Sequence, residues 1–260
     1  MSPSASSQAQ STESRTAAWL TIGTAVAYQA LLALLIFLRP DLDPSWHSVS
    51  EWAVGPYGWV MSGTFLVFSI SYFSLFARLR TQLRSRMEKI GLALLLICAA
   101  GVAGAGIFTT DAMPFRPPLS TRGTLHVVSG TAQLVLFPMA ALLISLGLTW
   151  TQGKWAAARA VLLWTACLPL FGFLCFAVYT ALFVVPLGPH AYGPGVDIGW
   201  LPRLAFITYT LWTVLAAWQV IRGTRMSRAN ANSRPGKTSR FSLTRTISNH
   251  NDYSQIPIRR

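Results

Sequence analysis

The sequence predicts an all-α membrane protein, a bundle of six transmembrane helices with both termini in the cytoplasm. The prediction rests on composition, on six long apolar runs, and on a one-sided distribution of basic residues. The 260-residue chain is 52% hydrophobic and 11% charged, whereas soluble domains carry about 25% charged residues. This composition excludes a soluble globular fold and indicates a multi-pass protein of the cell membrane.

Six apolar segments follow one another along the chain, and none has a charged residue in its interior. A helix needs about 20 apolar residues to cross a bilayer. Backbone groups in hydrocarbon must also be bonded within the segment, which favours helices over isolated strands. The predicted helices occupy residues 17–38, 58–77, 90–108, 125–150, 160–185 and 204–221. Together they form a predicted transmembrane domain over residues 17–222.

The segments differ in what precedes, interrupts or follows them. The first follows residues 1–16, a polar stretch that we expect to be a disordered cytoplasmic N-terminus. The third contains a run of Gly and Ala at 99–106, which lets helix backbones approach closely and predicts a central position. The fourth and fifth contain Pro138 and Pro169, which are expected to kink them. The sixth precedes residues 223–260, a predicted disordered, basic cytoplasmic tail.

The net charge of +13 is explained by topology. With the N-terminus inside, most of the 21 Lys and Arg residues lie in the inner loops and the tail, and only Arg39, Arg116, Arg122 and Arg203 lie outside. Cytoplasmic loops collect basic residues, so both termini are predicted to be cytoplasmic. The charge therefore does not indicate nucleic-acid binding, and membrane lipids are the expected partners.

Titratable side chains gather on the predicted outer side. His47, Ser50 and Glu51 lie in the first outer loop, where a helical turn would place them on one face. Asp111 follows the third segment and His126 begins the fourth, whereas His190 and Asp197 are peripheral. Polar groups are costly near hydrocarbon, so their gathering at one interface predicts a site.

Two chemical interpretations of this cluster are catalytic. In one, His47, Glu51, Asp111 and His126 are candidate ligands of a divalent metal such as zinc, which would activate a water molecule. In the other, Ser50 is a nucleophile paired with His47 or His126, and Asp111 is the candidate for the carboxylate of a Ser-His-Asp arrangement. Neither interpretation has a contiguous sequence signature.

Two further interpretations involve no catalysis. The same side chains could form a hydrogen-bonded network that fixes the outer loops, since buried polar groups require partners. Alternatively, the cluster binds a lipid headgroup or a small ligand through His47, Ser50, Glu51, Asp111 and His126. A basic residue would then pair with a phosphate or carboxylate; the candidates are Arg116, Arg122 and Arg203.

Four stretches carry a resemblance to a known family. They are HSVSEWAVGPYGWVMSGTF at 47–65, GIFTTD at 106–111, GTLHVVSGTAQLVLFPMAAL at 123–142 and GWLPRL at 199–204. In order and placement they resemble the domain-of-unknown-function 998 family of six-helix integral membrane proteins, over roughly residues 17–222. The family's acidic residue before the last-loop arginine is replaced here by Pro202. The resemblance implies the fold and the polar positions, and it implies no activity.

The leading functional hypothesis is therefore a non-enzymatic membrane protein that binds a lipid headgroup or small ligand at its outer face. The first alternative is an outer-face hydrolase, metal-assisted or Ser-dependent, that acts on lipids. The second is a transporter, although no charged residue lies in mid-membrane to couple ion movement.

Overall fold

Six long α-helices make up the architecture. The computed structural model of the chain describes residues 5–83, 85–114, 118–151, 155 and 158–232, and this part contains helices and no strand. The helices are α1 (Ala5–Leu38), α2 (Gly58–Leu79), α3 (Arg86–Ile107), α4 (Thr121–Thr151), α5 (Arg159–Tyr179) and α6 (Trp200–Asn232). Each is long and apolar enough to cross a membrane. The predicted six-helix membrane fold is confirmed.

The helix ends follow local polar signals. At the start of α3, the Ser85 side chain accepts from the Glu88 backbone N–H, and the Glu88 carboxylate accepts from the Ser85 N–H. This reciprocal capping satisfies backbone donors that the helix itself leaves free. At the end opposite the long loops, α1 and α6 continue past the apolar segments, to Ala5 and Asn232. Of the predicted tail, residues 233–260 lie outside the described residues.

The helices pack as a closed ring in which each helix contacts its neighbours in the chain and α6 contacts α1. The most extensive packing joins α3 and α4. Two glycines make this approach possible, because a Cβ at Gly101 or Gly104 would collide with Ser129. The small residues of α3 thus allow it to lie close against α4.

A column of stacked aromatic rings fills the centre of the bundle. Tyr28 stacks on Phe68 with ring centroids 4.0 Å apart, and Phe68 lies 4.5 Å from Tyr72. Phe137 continues the column, 4.8 Å from Tyr72 and 4.6 Å from Tyr209. All five side chains are buried, and they close the middle of the bundle with packed rings.

The links α1–α2, α3–α4 and α5–α6 lie together at one end of the bundle. This end carries residues 39–57, 108–114 and 191–199 and is called the long-loop end below. It is the end that the charge distribution predicts to face outward. That orientation, and the cytoplasmic placement of both termini, remain predictions.

Candidate functional site

His47 is packed inside an aromatic cluster of the long-loop end. Its ring lies 3.6 Å from the Trp46 ring centroid and 5.9 Å from that of Tyr192. Its Nδ1 donates to the carbonyl oxygen of Asp43 at 3.0 Å, and the residue is buried. The first loop is therefore compact around His47.

Glu51 joins the first loop to the third. Its carboxylate accepts from the Ser48 backbone N–H and from the Tyr192 hydroxyl at 2.5 Å. Burial raises the pKa of the Tyr192 hydroxyl, and the Glu51 carboxylate raises it further. The local 3₁₀ helix spans Val49–Ala53, so it begins only after His47. His47, Ser50 and Glu51 consequently do not share the single helical face that their spacing suggested.

Arg203 holds the first loop against α6. Its Nη1 donates to the carbonyl oxygens of Pro44 at 3.1 Å, His47 at 3.0 Å and Gly199 at 2.6 Å. Its Cζ lies 4.4 Å from the Trp52 ring centroid, a cation–π contact. Where the chain is described, the ion pair found is that of Arg39 with Asp41. Arg203 is thus engaged by backbone rather than by a carboxylate.

Arg39, at the start of the same loop, also binds backbone carbonyl oxygens. Its Nη1 donates to the carbonyl oxygens of Val54 at 2.7 Å and Pro56 at 3.0 Å. The Arg39 side chain also bonds Asp41, and this bond holds the pKa of the Asp41 carboxyl below its ordinary value. Arg39 and Arg203 therefore both serve the loop backbone, whereas Arg122 is exposed in the first turn of α4. Arg116 lies outside the described residues.

Asp111 caps α4. Its Oδ2 accepts from the Ser120 N–H at 2.8 Å and its Oδ1 from the Ser120 hydroxyl. The Ser120 oxygen in turn accepts from the Gly123 N–H at 2.9 Å, which makes Ser120 the N-cap of the helix. These bonds from Ser120 lower the pKa of Asp111. The carboxylate therefore fixes the α3–α4 link to the start of α4.

His126 faces the end of α3. Its Nδ1 lies 3.0 Å from the Ala105 carbonyl oxygen and 2.8 Å from that of Phe108. Carbonyl oxygens only accept, so Nδ1 carries a proton, and in the neutral ring Nε2 keeps the lone pair. Nε2 makes no hydrogen bond to any residue that the structure describes.

A cavity of about 310 Å³ opens among the helices at the long-loop end. Its walls come from every helix and from all three loops of the long-loop end, and most of them are apolar. In the part of the chain that the structure describes, no Asp, Glu, Lys or Arg lines it. The polar lining residues include Tyr28, Ser48, Ser50, Thr110 and His126. Of the predicted site residues, this cavity brings Ser50 and His126 together, and it leaves out His47, Glu51, Asp111 and Arg203.

The arrangement of these side chains gives no geometric support to either catalytic interpretation. Among the described residues, no three His, Cys, Asp or Glu side chains are grouped to hold a metal ion. In the same residues no hydrogen bond links Ser50, His126 and Asp111, since Ser50 Oγ contacts Ser48 Oγ at 3.2 Å and Asp111 binds Ser120. The zinc site and the hydrolase remain predictions.

Two polar residues of the cavity were not predicted from the sequence. The hydroxyls of Tyr28 and Thr110 are buried and have no hydrogen-bond partner in the described part of the chain. Tyr28 is 0% exposed and Thr110 is 6% exposed. A tyrosine in the middle of an apolar segment was a usable signal, whereas nothing in the sequence distinguished Thr110 from its neighbour Thr109.

Six apolar helices in a ring, with a small cavity at one end, define a multi-pass helical membrane protein. The family model described as "Protein of unknown function (DUF998)" matches residues 21–219, and the chain belongs to that family. The family resemblance of the sequence is thereby confirmed. No curated protein and no solved structure matches the chain.

Proposed function

We propose that this protein binds a small amphipathic ligand in the cavity at the long-loop end. The proposal rests chiefly on one observation, a cavity of about 310 Å³ with largely apolar walls and a few convergent polar groups. Sites for small molecules are typically concave, about 300–1,000 Å³ in volume, and mostly apolar with a few polar groups that orient the ligand.

The hydroxyls of Tyr28 and Thr110 support a ligand rather than an empty packing defect. A buried polar group without a partner costs roughly 1–3 kcal/mol, and both hydroxyls are buried without a described partner. Both residues line the same cavity. A bound molecule with its own polar group would lower this cost for at least one of the two hydroxyls, and polar groups retained inside a membrane protein are commonly functional.

The aromatic column supports binding over conduction. Tyr28 and Phe68 line the cavity and also belong to the column, so the packed rings form its floor. A molecule crossing the bundle would have to separate rings whose centroids lie 4.0–4.8 Å apart. A blind cavity suits a ligand that enters and leaves at one end.

The loop residues take a supporting role in this proposal. Ser48 and Ser50 line the cavity, and the segment that carries them is held by Arg203 on one side and by the contact of Glu51 with Tyr192 on the other. His47, Glu51 and Arg203 therefore shape the mouth of the cavity, while Ser50 and His126 meet the ligand.

Gly130 offers a direct test. It lines the cavity one turn after His126, and a Cβ built at this position meets no atom within 4 Å. Gly130→Leu should fill the cavity without disturbing the bundle. Dodecanol is a suitable probe for the protein in phosphatidylcholine nanodiscs. At a hundredfold excess over its Kd it should stabilise the wild type by about 2.7 kcal/mol, and Gly130→Leu should lose this gain.

Gly63→Leu is the matched control. Gly63 is also a helical glycine whose Cβ would meet no atom within 4 Å, and it does not line the cavity. Dodecanol should stabilise this variant as it does the wild type. Equal stabilisation of all three proteins would mean that the probe acts through the bilayer, and the proposal would then fail.

A further inference from the structure

We infer that the ligand of this cavity is an uncharged alcohol, a molecule with one hydroxyl at the mouth and an extended apolar body. The inference rests on the proposed function and specifies its ligand class. It is carried by three independent features of the cavity: the absence of charged residues from its described walls, the tautomer of His126, and the unpartnered hydroxyl of Thr110.

The first feature excludes charged ligands. None of the described residues that line the cavity is Asp, Glu, Lys or Arg. The nearby charged groups are engaged elsewhere, because Arg203 Nη1 donates to three carbonyl oxygens and Glu51 accepts from Ser48 and Tyr192. A carboxylate, phosphate or ammonium group would be buried without a counter-charge, which costs several kcal/mol. The polar group of the ligand is therefore neutral.

His126 then sets the hydrogen-bonding character of that group. Two carbonyl oxygens, of Ala105 and Phe108, hold the proton on Nδ1. Nε2 is the opposite nitrogen of the ring and is left as an acceptor. A ligand group that bonds Nε2 of the neutral ring must therefore donate a hydrogen, which a hydroxyl can do and a ketone, ester or ether cannot.

Thr110 supplies the complementary contact. It follows Phe108 by two residues, so it lies close to the main-chain segment that binds His126. Its hydroxyl lines the cavity and has no described partner. One ligand hydroxyl can donate to His126 Nε2 and accept from Thr110 Oγ1. Both side chains would then be satisfied by a single oxygen atom.

The apolar body of the ligand runs inward from this pair. Phe65, Val102 and Phe206 line the walls, and Tyr28 lines the cavity deeper along its helix. Tyr28 is about 15 Å from the end of α1 at Leu38, at ~1.5 Å of rise per residue. This depth is about half of the ~30 Å hydrocarbon thickness. A chain or a slender ring system of this length fits the cavity.

Three probes with the same twelve-carbon chain test the inference: dodecanol, its methyl ether and dodecanoate. Their Kd values for the protein in phosphatidylcholine nanodiscs follow from the concentration dependence of thermal unfolding, with the cavity-filled Gly130→Leu protein as the blank. The wild type should bind dodecanol about 3- to 10-fold more tightly than the ether, the effect of one net hydrogen bond. Dodecanoate should bind more weakly than both.

His126→Asn isolates the proposed contact. The Asn side-chain NH₂ can replace Nδ1–H as donor to the carbonyl oxygens of Ala105 and Phe108, while the Nε2 acceptor is lost. The preference for dodecanol over the ether should fall below about twofold, with the affinity for the ether unchanged. Thr110→Val should reduce the affinity for both probes, since either oxygen can accept from Thr110. Thr213→Val, whose hydroxyl bonds within α6 away from the cavity, should change neither.

The outcomes separate this inference from the function on which it rests. If the ether binds as well as dodecanol, or dodecanoate binds best, the alcohol assignment is wrong and cavity binding stands. If none of the probes distinguishes the wild type from Gly130→Leu, both the assignment and the proposed function are wrong. Retention of the full alcohol preference in His126→Asn would also overturn the role given to Nε2.

Discussion

Tyr28 and Tyr209 are both fully buried tyrosines of the aromatic column, and they differ in the state of the hydroxyl. The Tyr209 hydroxyl donates to the Leu134 carbonyl oxygen at 2.6 Å. The Tyr28 hydroxyl has no described partner. A buried donor contributes to stability only when it is bonded, so the two residues should respond differently to the loss of one oxygen atom.

Tyr28→Phe should leave the ligand-free protein as stable as the wild type, or up to about 1–3 kcal/mol more stable, because it removes an unsatisfied polar group. Tyr209→Phe is the matched control and should cost about 1 kcal/mol through the lost bond. Denaturant unfolding in detergent micelles measures both values. A loss of stability in Tyr28→Phe as large as that in Tyr209→Phe would show that the Tyr28 hydroxyl has a partner.

Part of the site could be predicted at this scale. Ser50 and His126 are sparse polar residues at helix ends, and both line the cavity. A hydrogen-bonded network was one interpretation of His47, Glu51 and Asp111, but the individual partners could not be predicted, because they are backbone groups and hydroxyls that the sequence pattern does not single out. The residue type shows that burial of a polar side chain costs free energy, but the hydrogen-bond partner that offsets this cost is known only from the fold.

At the scale of elements, the contact between the first loop and the start of α6 determines the shape of the cavity mouth. The Gly199 N–H donates to the Ser45 carbonyl oxygen at 2.8 Å. A Cβ at Gly199 would overlap the carbonyl oxygens of Pro44 and His47. Because these are backbone atoms, they cannot move aside without moving the loop.

Gly199→Ala should therefore destabilise the protein by about 1–3 kcal/mol, the usual cost of overpacking. Gly63→Ala is the control, since its Cβ enters open space in α2 and should stabilise by about 0.4–1 kcal/mol. Thermal unfolding of the two variants in one lipid composition compares them. Similar effects of the two substitutions would contradict the close approach of loop and helix.

Helix positions follow from the sequence because a long apolar run leaves the backbone few alternatives in a membrane. The second segment, predicted at 58–77, forms Gly58–Leu79. The polar ends are less predictable, because caps such as Ser85 with Glu88 operate outside the apolar pattern. The 3₁₀ helix Val49–Ala53 is shorter than one heptad, too short for apolar periodicity to reveal.

At the scale of the whole molecule, six crossings place the start of α1 and the end of α6 on the same side of the membrane. The distribution of Lys and Arg predicts that this side is the cytoplasm. The long-loop end, with its cavity, would then face away from the cytoplasm. A ligand would reach the mouth from that side or from the facing leaflet.

Cysteine labelling tests this orientation. Thr121 at the long-loop end and Thr81 at the opposite end are both exposed. In a background with Cys98, Cys167 and Cys175 replaced by Ala, Thr121→Cys should react with a membrane-impermeant maleimide in intact cells. Thr81→Cys should react only after permeabilisation. The reverse pattern would place the cavity on the cytoplasmic side.

The central claim, that the cavity holds a small amphipathic molecule, is tested most directly by an experimental structure of the protein in nanodiscs with dodecanol. The account predicts elongated density inside the cavity, with its polar end beside His126 and Thr110 and its body directed toward Tyr28. The same density should be absent from Gly130→Leu and present in Gly63→Leu. An empty cavity in the wild type at saturating dodecanol, with density confined to the lipid-facing surface, would contradict the claim.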